Sequence, residues 1–296
     1  MTTAQMTMKL KKTMTSELLA ARVARHSDRP EAAVVDATGG ITYREFWDRV
    51  TRTATELSHR LAGKRRIAVL PTSDIGSLVV VVAAMHAGVS VVLLHRHLLA
   101  HEFADVIAVC KPSLIAAHPR QHGRLHGWGA GNVFAPDDLA LGPTETTPTA
   151  APNSELLVGV TSGTTGPPKL FVRNQASWAA TLDRSDALLD LGRGNRVSAP
   201  GTVDHTHFLY GALHGLTRGG ATVDLREPTA ALEDAVTHLY SVPTIAWDIA
   251  RSGVRSTSVR EVLSSAARWA QSGRAALAAV LPNAVLTHFY GASELS

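Results

Sequence analysis

The longest apolar stretch of the chain, Leu78 to Leu94, is broken by His86, Gly88 and Ser90. A membrane-spanning helix needs about 20 consecutive apolar residues, so these interruptions argue against a span. They divide the stretch into a helix that closes at Gly88 and a strand, Val89 to Leu94. The same alternation surrounds this pair. Thr42 and Glu45 have capping-box spacing, and Tyr43, Phe46, Trp47, Val50, Ala54, Leu57 and Leu61 follow at helical intervals as the core face of an amphipathic helix. Next come a strand at Ile67 to Leu70, a helix opening near Ser73-Asp74, a helix near Leu98 to Cys110 and a strand at Leu114 to Ala117. Strands and helices in this order predict a parallel sheet covered by helices, an α/β fold.

From Arg120 to Asn153 periodicity is lost and Gly, Pro and Thr accumulate, which reads as a surface connection. Alternation resumes with strands at Leu156 to Val160 and Leu170 to Val172, a helix from about Gln175 to Leu191, and strands near Val197, Ala221 to Leu225, Thr244 to Ala246 and Val262 to Ser264. The sequence therefore predicts two layered α/β subdomains, 1–155 and 156–296. At 296 residues the chain can bury a sizeable core without a metal or disulfide staple. The single cysteine, Cys110, precludes an internal disulfide and fits a reducing cytoplasm. The net charge is only +4 and the basic residues are dispersed, apart from Lys9, Lys11, Lys12 and Lys64-Arg65-Arg66, so no nucleic-acid partner is expected. The N-terminus lacks the apolar core and small-residue cleavage site of a secretory signal. The expectation is a cytoplasmic, soluble protein.

Directly behind the strand Leu156 to Val160 stands Thr161-Ser162-Gly163-Thr164-Thr165-Gly166-Pro167-Pro168-Lys169. Gly163 and Gly166 permit close backbone approach to an anion, the amides and hydroxyls donate to phosphate oxygens, and Lys169 neutralises charge. This is not a Walker loop: the glycines are too close together, Pro167-Pro168 precede the lysine, and the apolar Leu170-Phe171-Val172 follows in place of a helix. A strand, loop, strand hairpin is predicted, with Asn174 capping the next helix. An ordinary polar turn is the competing account.

The order of these nine residues resembles the signature loop of the adenylate-forming superfamily, which comprises acyl-CoA synthetases, luciferases and the adenylation domains of peptide synthetases. The resemblance implies that Thr161, Ser162, Thr164, Thr165 and Lys169 hold the β and γ phosphates of ATP. Tyr290-Gly291-Ala292-Ser293-Glu294 resembles the family's Y-G-x-T-E, which implies Tyr290 against adenine, Ser293 on the α-phosphate and Glu294 on Mg²⁺. An aromatic face suits a base, and a carboxylate with phosphate oxygens suits Mg²⁺. A simple turn is the alternative for this segment. A serine-hydrolase elbow is excluded, since Leu295 stands where a glycine is required.

Gly201-Thr202-Val203-Asp204-His205-Thr206 resembles the segment with the family's pocket histidine, which implies that His205 sits where acyl and α-phosphate sites meet; a surface or core histidine is the competing account. Ser264-Ser265-Ala266-Ala267-Arg268-Trp269 falls where many relatives have a glycine-rich turn under the adenine. His95, His97 and His101 lack the carboxylate or cysteine framework of a metal centre. The resemblance is closest to bacterial acyl-CoA synthetases and fatty-acid-CoA ligases. It implies a ligase that converts a carboxylic acid and ATP to acyl-AMP and then, with coenzyme A, to a thioester. It also implies that the ribose-binding aspartate, the β-barrel part and the small mobile C-terminal domain with its second lysine are absent from this chain. One half of a split ligase completed by a second chain, or a non-catalytic nucleotide- or partner-binding remnant, are the alternatives.

Overall fold

The computed structural model describes residues 17–125, 127, 130–144, 150–161, 169–186, 188–218 and 220–289. After a short helix, α1 (Leu19–Ala24), come β1 (Ala32–Asp36) and β2 (Gly39–Thr42), which pair antiparallel. The long helix α2 (Tyr43–Leu61) begins at the predicted box: Thr42 accepts from the Glu45 amide, and the Glu45 carboxylate accepts from the Thr42 amide at 2.8 Å. Tyr43, Phe46, Val50, Ala54, Leu57 and Leu61 form its buried face. β3 (Arg66–Leu70) leads to α3 (Ile75–Ala87), capped by the Asp74 carboxylate and closed at Gly88, where φ is 68°. β4 (Ser90–Leu93), α4 (Ala100–Cys110) and β5 (Leu114–Ala117) complete the first run as the periodicity predicts.

The connection after β5 is more structured than its composition suggests. It contains a short strand, β6 (Val133–Phe134), parallel to β5, and a turn of helix, Pro136–Leu141, that drives Leu139 into the core. β7 (Glu155–Thr161) and β8 (Lys169–Asn174) form the predicted hairpin, with Thr161 opposite Lys169. Asn174 caps α5 (Gln175–Asp186) through the Ser177 amide at 2.8 Å. The remaining elements are β9 (Arg196–Ser198), α6 (Thr206–Arg218), β10 (Thr222–Asp224), α7 (Pro228–Leu232), β11 (His238–Ser241), α8 (Pro243–Ser252), β12 (Glu261–Ser264), α9 (Gln271–Val280) and β13 (Val285–His288).

Thr244 to Ala246, expected as a strand, is instead the start of α8. Pro243 occupies the first helical position, where its fixed φ is already helical, and the strand lies just upstream at His238–Ser241. The β-branched Thr244 and Ile245 give a local strand signal that the proline overrides.

The described strands form two sheets, ordered β6-β5-β3-β4-β7-β8 and β13-β12-β11-β9-β10-β1-β2, parallel except for the β7–β8 and β1–β2 hairpins. The division between them does not follow the expected boundary at 155/156. β7 pairs with β4 (Val91 with Leu157, Val92 with Val158) and so extends the first sheet, while β1 pairs with β10 (Val34 with Val223) and joins the second. The open edge of β4 accepts the returning strand. No β-barrel is formed among the described residues, and none of their helices is long and apolar enough to cross a membrane.

Between the sheets lies α3, with every residue except Gly76 buried. A helix apolar on all faces is stable only when covered on all faces. Here one core joins it to α2, to Ile67, Val69, Val91 and Leu93 of the first sheet, and to Val34 and Val223 of the second. Thr42→Ala removes the box that starts α2 and should lower unfolding free energy by about 1 kcal/mol without moving the denaturant m-value, as read by urea denaturation.

Candidate active site

In an open parallel sheet, ligands bind beyond the carboxyl ends of the strands. Both sheets send their chemistry-bearing loops to such an edge. In the first, β4 runs out at Leu93-Leu94 into His95-Arg96-His97, and β7, parallel to it, ends at Thr161 beside that exit. Lys169 starts β8 directly across from Thr161 and is exposed. Ser162, Gly163, Thr164, Thr165 and Gly166, expected to cradle phosphate, lie outside the described residues, between these two strand ends.

In the second sheet the chain leaves β9 at Ser198 and turns through Gly201 into α6. A Cβ on residue 201 would fall 2.0 Å from the Phe208 ring, so only glycine lets the loop lie this close to the helix. The buried Asp204 carboxylate then bridges the sheets. Its Oδ2 accepts the Arg96 amide at 2.9 Å and stands 4.0 Å from His95 Nε2, while Oδ1 accepts the Thr202 hydroxyl. The loops after β4 and β9 are thereby held together at their mouths.

His205 follows this bridge and presents an exposed ring, 5.6 Å from that of Phe208. Crowding by the surrounding protein lowers its pKa; the Asp204 carboxylate opposes that effect, and His95 and Arg96 reinforce it. The ring is therefore neutral at pH 7, free to accept or donate one hydrogen bond. His207, which the sequence reading did not single out, is buried. Its Nε2 donates to the Ser241 carbonyl at 3.0 Å, and its ring meets those of Phe208, Tyr240 and Phe289 at 5.2–5.5 Å. Phe289 in turn donates its amide to Ser264 O at 3.0 Å. This hydrogen bond ties the end of β13 to β12, and the ring contact with His207 ties it to the start of α6. Tyr290, Gly291, Ser293 and Glu294 follow Phe289 directly but lie outside the described residues.

In the segment after β12, Ala266 has φ 77°, a left-handed conformation that costs an alanine about 1–2 kcal/mol relative to glycine's free access. His95 and His97 have rings 5.3 Å apart. No group of three or more His, Cys, Asp or Glu side chains able to hold a metal occurs among the described residues. Asp204 and His207 were legible in the sequence only as neighbours of His205; nothing in the local pattern marks a carboxylate that bridges two sheets.

Two parallel sheets sharing one helical layer, with a strand–loop–strand hairpin and a histidine loop meeting at one edge, match a known family. A family model described as AMP-binding enzyme fits residues 19–296. The chain belongs to the AMP-binding enzyme family. It is 29% identical over 266 residues to an uncharacterized acyl-CoA ligase, YhfT, of Bacillus subtilis (strain 168), covering 86% of this chain and 55% of that protein. It is 28% identical over 152 residues to a putative long chain fatty acid-CoA ligase, VraA, of Staphylococcus epidermidis, covering 49% of this chain and 33% of VraA. The chain thus spans about half or less of these curated relatives. Among solved structures, VinN superimposes with a TM-score of 0.84 at 23% identity, covering 94% of this chain and 76% of VinN. The N-terminal domain of FACL13 from Mycobacterium tuberculosis superimposes with a TM-score of 0.81 at 16% identity over the same shares. At these identities the structural likeness establishes the fold.

Asp204→Ala leaves the Arg96 amide and the Thr202 hydroxyl without their acceptor. Unfolding free energy should fall by about 1–3 kcal/mol, and amide exchange at Arg96 should accelerate more than in the α3 core. A second expectation concerns pH. Burial pushes the pKa of His207 down to about 4 from an ordinary 6.5, so between these values the unfolded chain binds a proton that the folded chain refuses. Stability is greatest above pH 6.5, falls as pH drops toward 4 and levels below it, the loss from this ring reaching roughly 3 kcal/mol. His207→Gln should flatten the slope in pH-dependent denaturation only in part, because His238 is also held down to about 4.

Proposed function

We propose that this chain carries the nucleotide and carboxylate site of an acid–thiol ligase of the acyl-CoA synthetase type. In this reading ATP and a small-molecule carboxylic acid give acyl-AMP and pyrophosphate, and the thiol of coenzyme A then displaces AMP to form the thioester. The observation that carries the reading is the convergence of three exits on one edge: the hairpin ends Thr161 and Lys169, the Asp204–His205 loop, and Phe289 at the head of the terminal motif. ATP-bound MatB from Rhodopseudomonas palustris has the same fold, with a TM-score of 0.81 at 21% identity, which supports ATP as the nucleotide.

The work assigned to this chain is mainly positioning and charge stabilisation. Thr161, Ser162, Thr164 and Thr165 donate to the β and γ phosphates, with Gly163 and Gly166 permitting the approach, and Lys169 takes up negative charge as pyrophosphate leaves. Tyr290 and Gly291 lie against the adenine, and Ser293 donates to the α-phosphate. Neutral His205, steadied by the Asp204 bridge behind it, orients the substrate carboxylate without repelling or protonating it. Glu294 suits Mg²⁺ through a hard oxygen donor set completed by phosphate, and when bound the ion neutralises phosphate charge.

Lys169→Ala should cost about 2–4 kcal/mol of transition-state stabilisation, a loss of roughly 10²–10³ in carboxylate-dependent pyrophosphate exchange by the full-length ligase. His205→Ala should act chiefly on acid KM and leave ATP KM nearly unchanged. Unaltered exchange in the lysine variant would remove Lys169 from the phosphate role.

A further inference from the structure

At the edge opposite the candidate active site, the first sheet borders a cleft of about 920 Å³, within the size range of small-molecule sites. It lies where β3, β5, β6 and β7 begin, and its lining includes Lys64, Arg65, Arg66, Lys111 and Asn132. Glu155, the one carboxylate among the described lining residues, is already satisfied, gripped by the Arg66 guanidinium in a two-pronged pair with both contacts at 2.8 Å. Lys64, Arg65 and Lys111 are exposed, and no ion-pair partner of theirs is found among the described residues.

Part of this positive charge answers the helices. α2, α3 and α4 end at Leu61, Ala87 and Cys110 and are capped by Ala62, Gly88 and Lys111, so three helix carboxyl ends lie near the cleft. Each carries an effective charge of about −0.5, screened by water at an exposed end. Three unpaired cations exceed that demand by about +1.5, and the excess is concentrated in a concave site with an amide at its rim.

We propose that this cleft is a second anion site that takes a small molecule bearing several phosphate groups, separate from the nucleotide edge. Three exposed cationic side chains match a ligand with several phosphate oxygens better than one with a single carboxylate. The concave form and the volume suit a small ligand rather than a protein surface.

The test is an amide-resolved NMR titration of the chain with inorganic tripolyphosphate. Saturable shifts are expected at Lys64–Arg66 and Lys111–Ser113. In the Lys64→Ala/Arg65→Ala/Lys111→Ala variant the affinity read at the Ser113 amide should fall at least about tenfold, while the titration at the Lys169 amide stays as in the wild type. The charge-conserving variant Lys64→Arg/Arg65→Lys/Lys111→Arg should retain binding. A single cooperative thermal melt without ligand establishes that the alanine variant is folded. No saturable shift at these amides, shifts scattered over exposed lysines elsewhere, or equal affinity in the alanine variant would overturn the proposal and leave the cations with only their helix-end role.

Discussion

Helix α3 has no solvent face, and the rest of the architecture follows from that. Ile75–Ala87 is apolar around its whole circumference, so one sheet cannot satisfy it. The sheet of β3 and β4 covers it from one side; β1 and β10, through Val34 and Val223, belong to the same core on the other. Because the sheets share this layer, their carboxyl edges are brought near one another. The Asp204 carboxylate then fixes the two mouths at hydrogen-bond distance by accepting the Arg96 amide. Apolar burial sets the approximate arrangement of the sheets, and a single buried, satisfied carboxylate sets the local geometry at the site. Removing the first would dissolve the fold, whereas removing the second would loosen only the edge.

Much of the local structure was legible in the residues. The Thr42 box, the Asp74 cap, the Gly88 stop, the hairpin from Leu156 to Val172 and the Asn174 cap each follow from side-chain chemistry acting over a few residues. What was not legible was long-range pairing. The connection from Arg120 to Asn153 looks like a boundary by composition, yet β7 returns to β4 across it, because the free edge of a parallel sheet is indifferent to how much chain intervenes. The misread strand at Thr244 has a local cause, a helix-starting proline next to β-branched residues. At the site, His205 stood out by resemblance. Asp204 did not, because its role depends on an amide more than a hundred residues away in sequence.

The two edges of the first sheet differ in charge and in partners. At the carboxyl edge, cation and carboxylate are mixed: His95 and Arg96 surround Asp204, and His205 is held neutral. At the amino edge the Arg66–Glu155 pair is self-contained and the remaining lining cations face solvent. A neutral imidazole at the carboxyl edge and an excess of cations at the opposite edge are different devices, the first proposed to meet an acyl substrate and the second a phosphate-bearing ligand.

Under the proposed function, loops from both sheets act on one nucleotide at one edge. Amide hydrogen exchange with and without a non-hydrolysable ATP analogue tests it most directly. Binding should protect 169–172 of the first sheet together with 201–207 and 285–289 of the second, and the protection should appear at a common ligand concentration. Protection confined to the loops of one sheet, with the other unchanged at saturation, would contradict it.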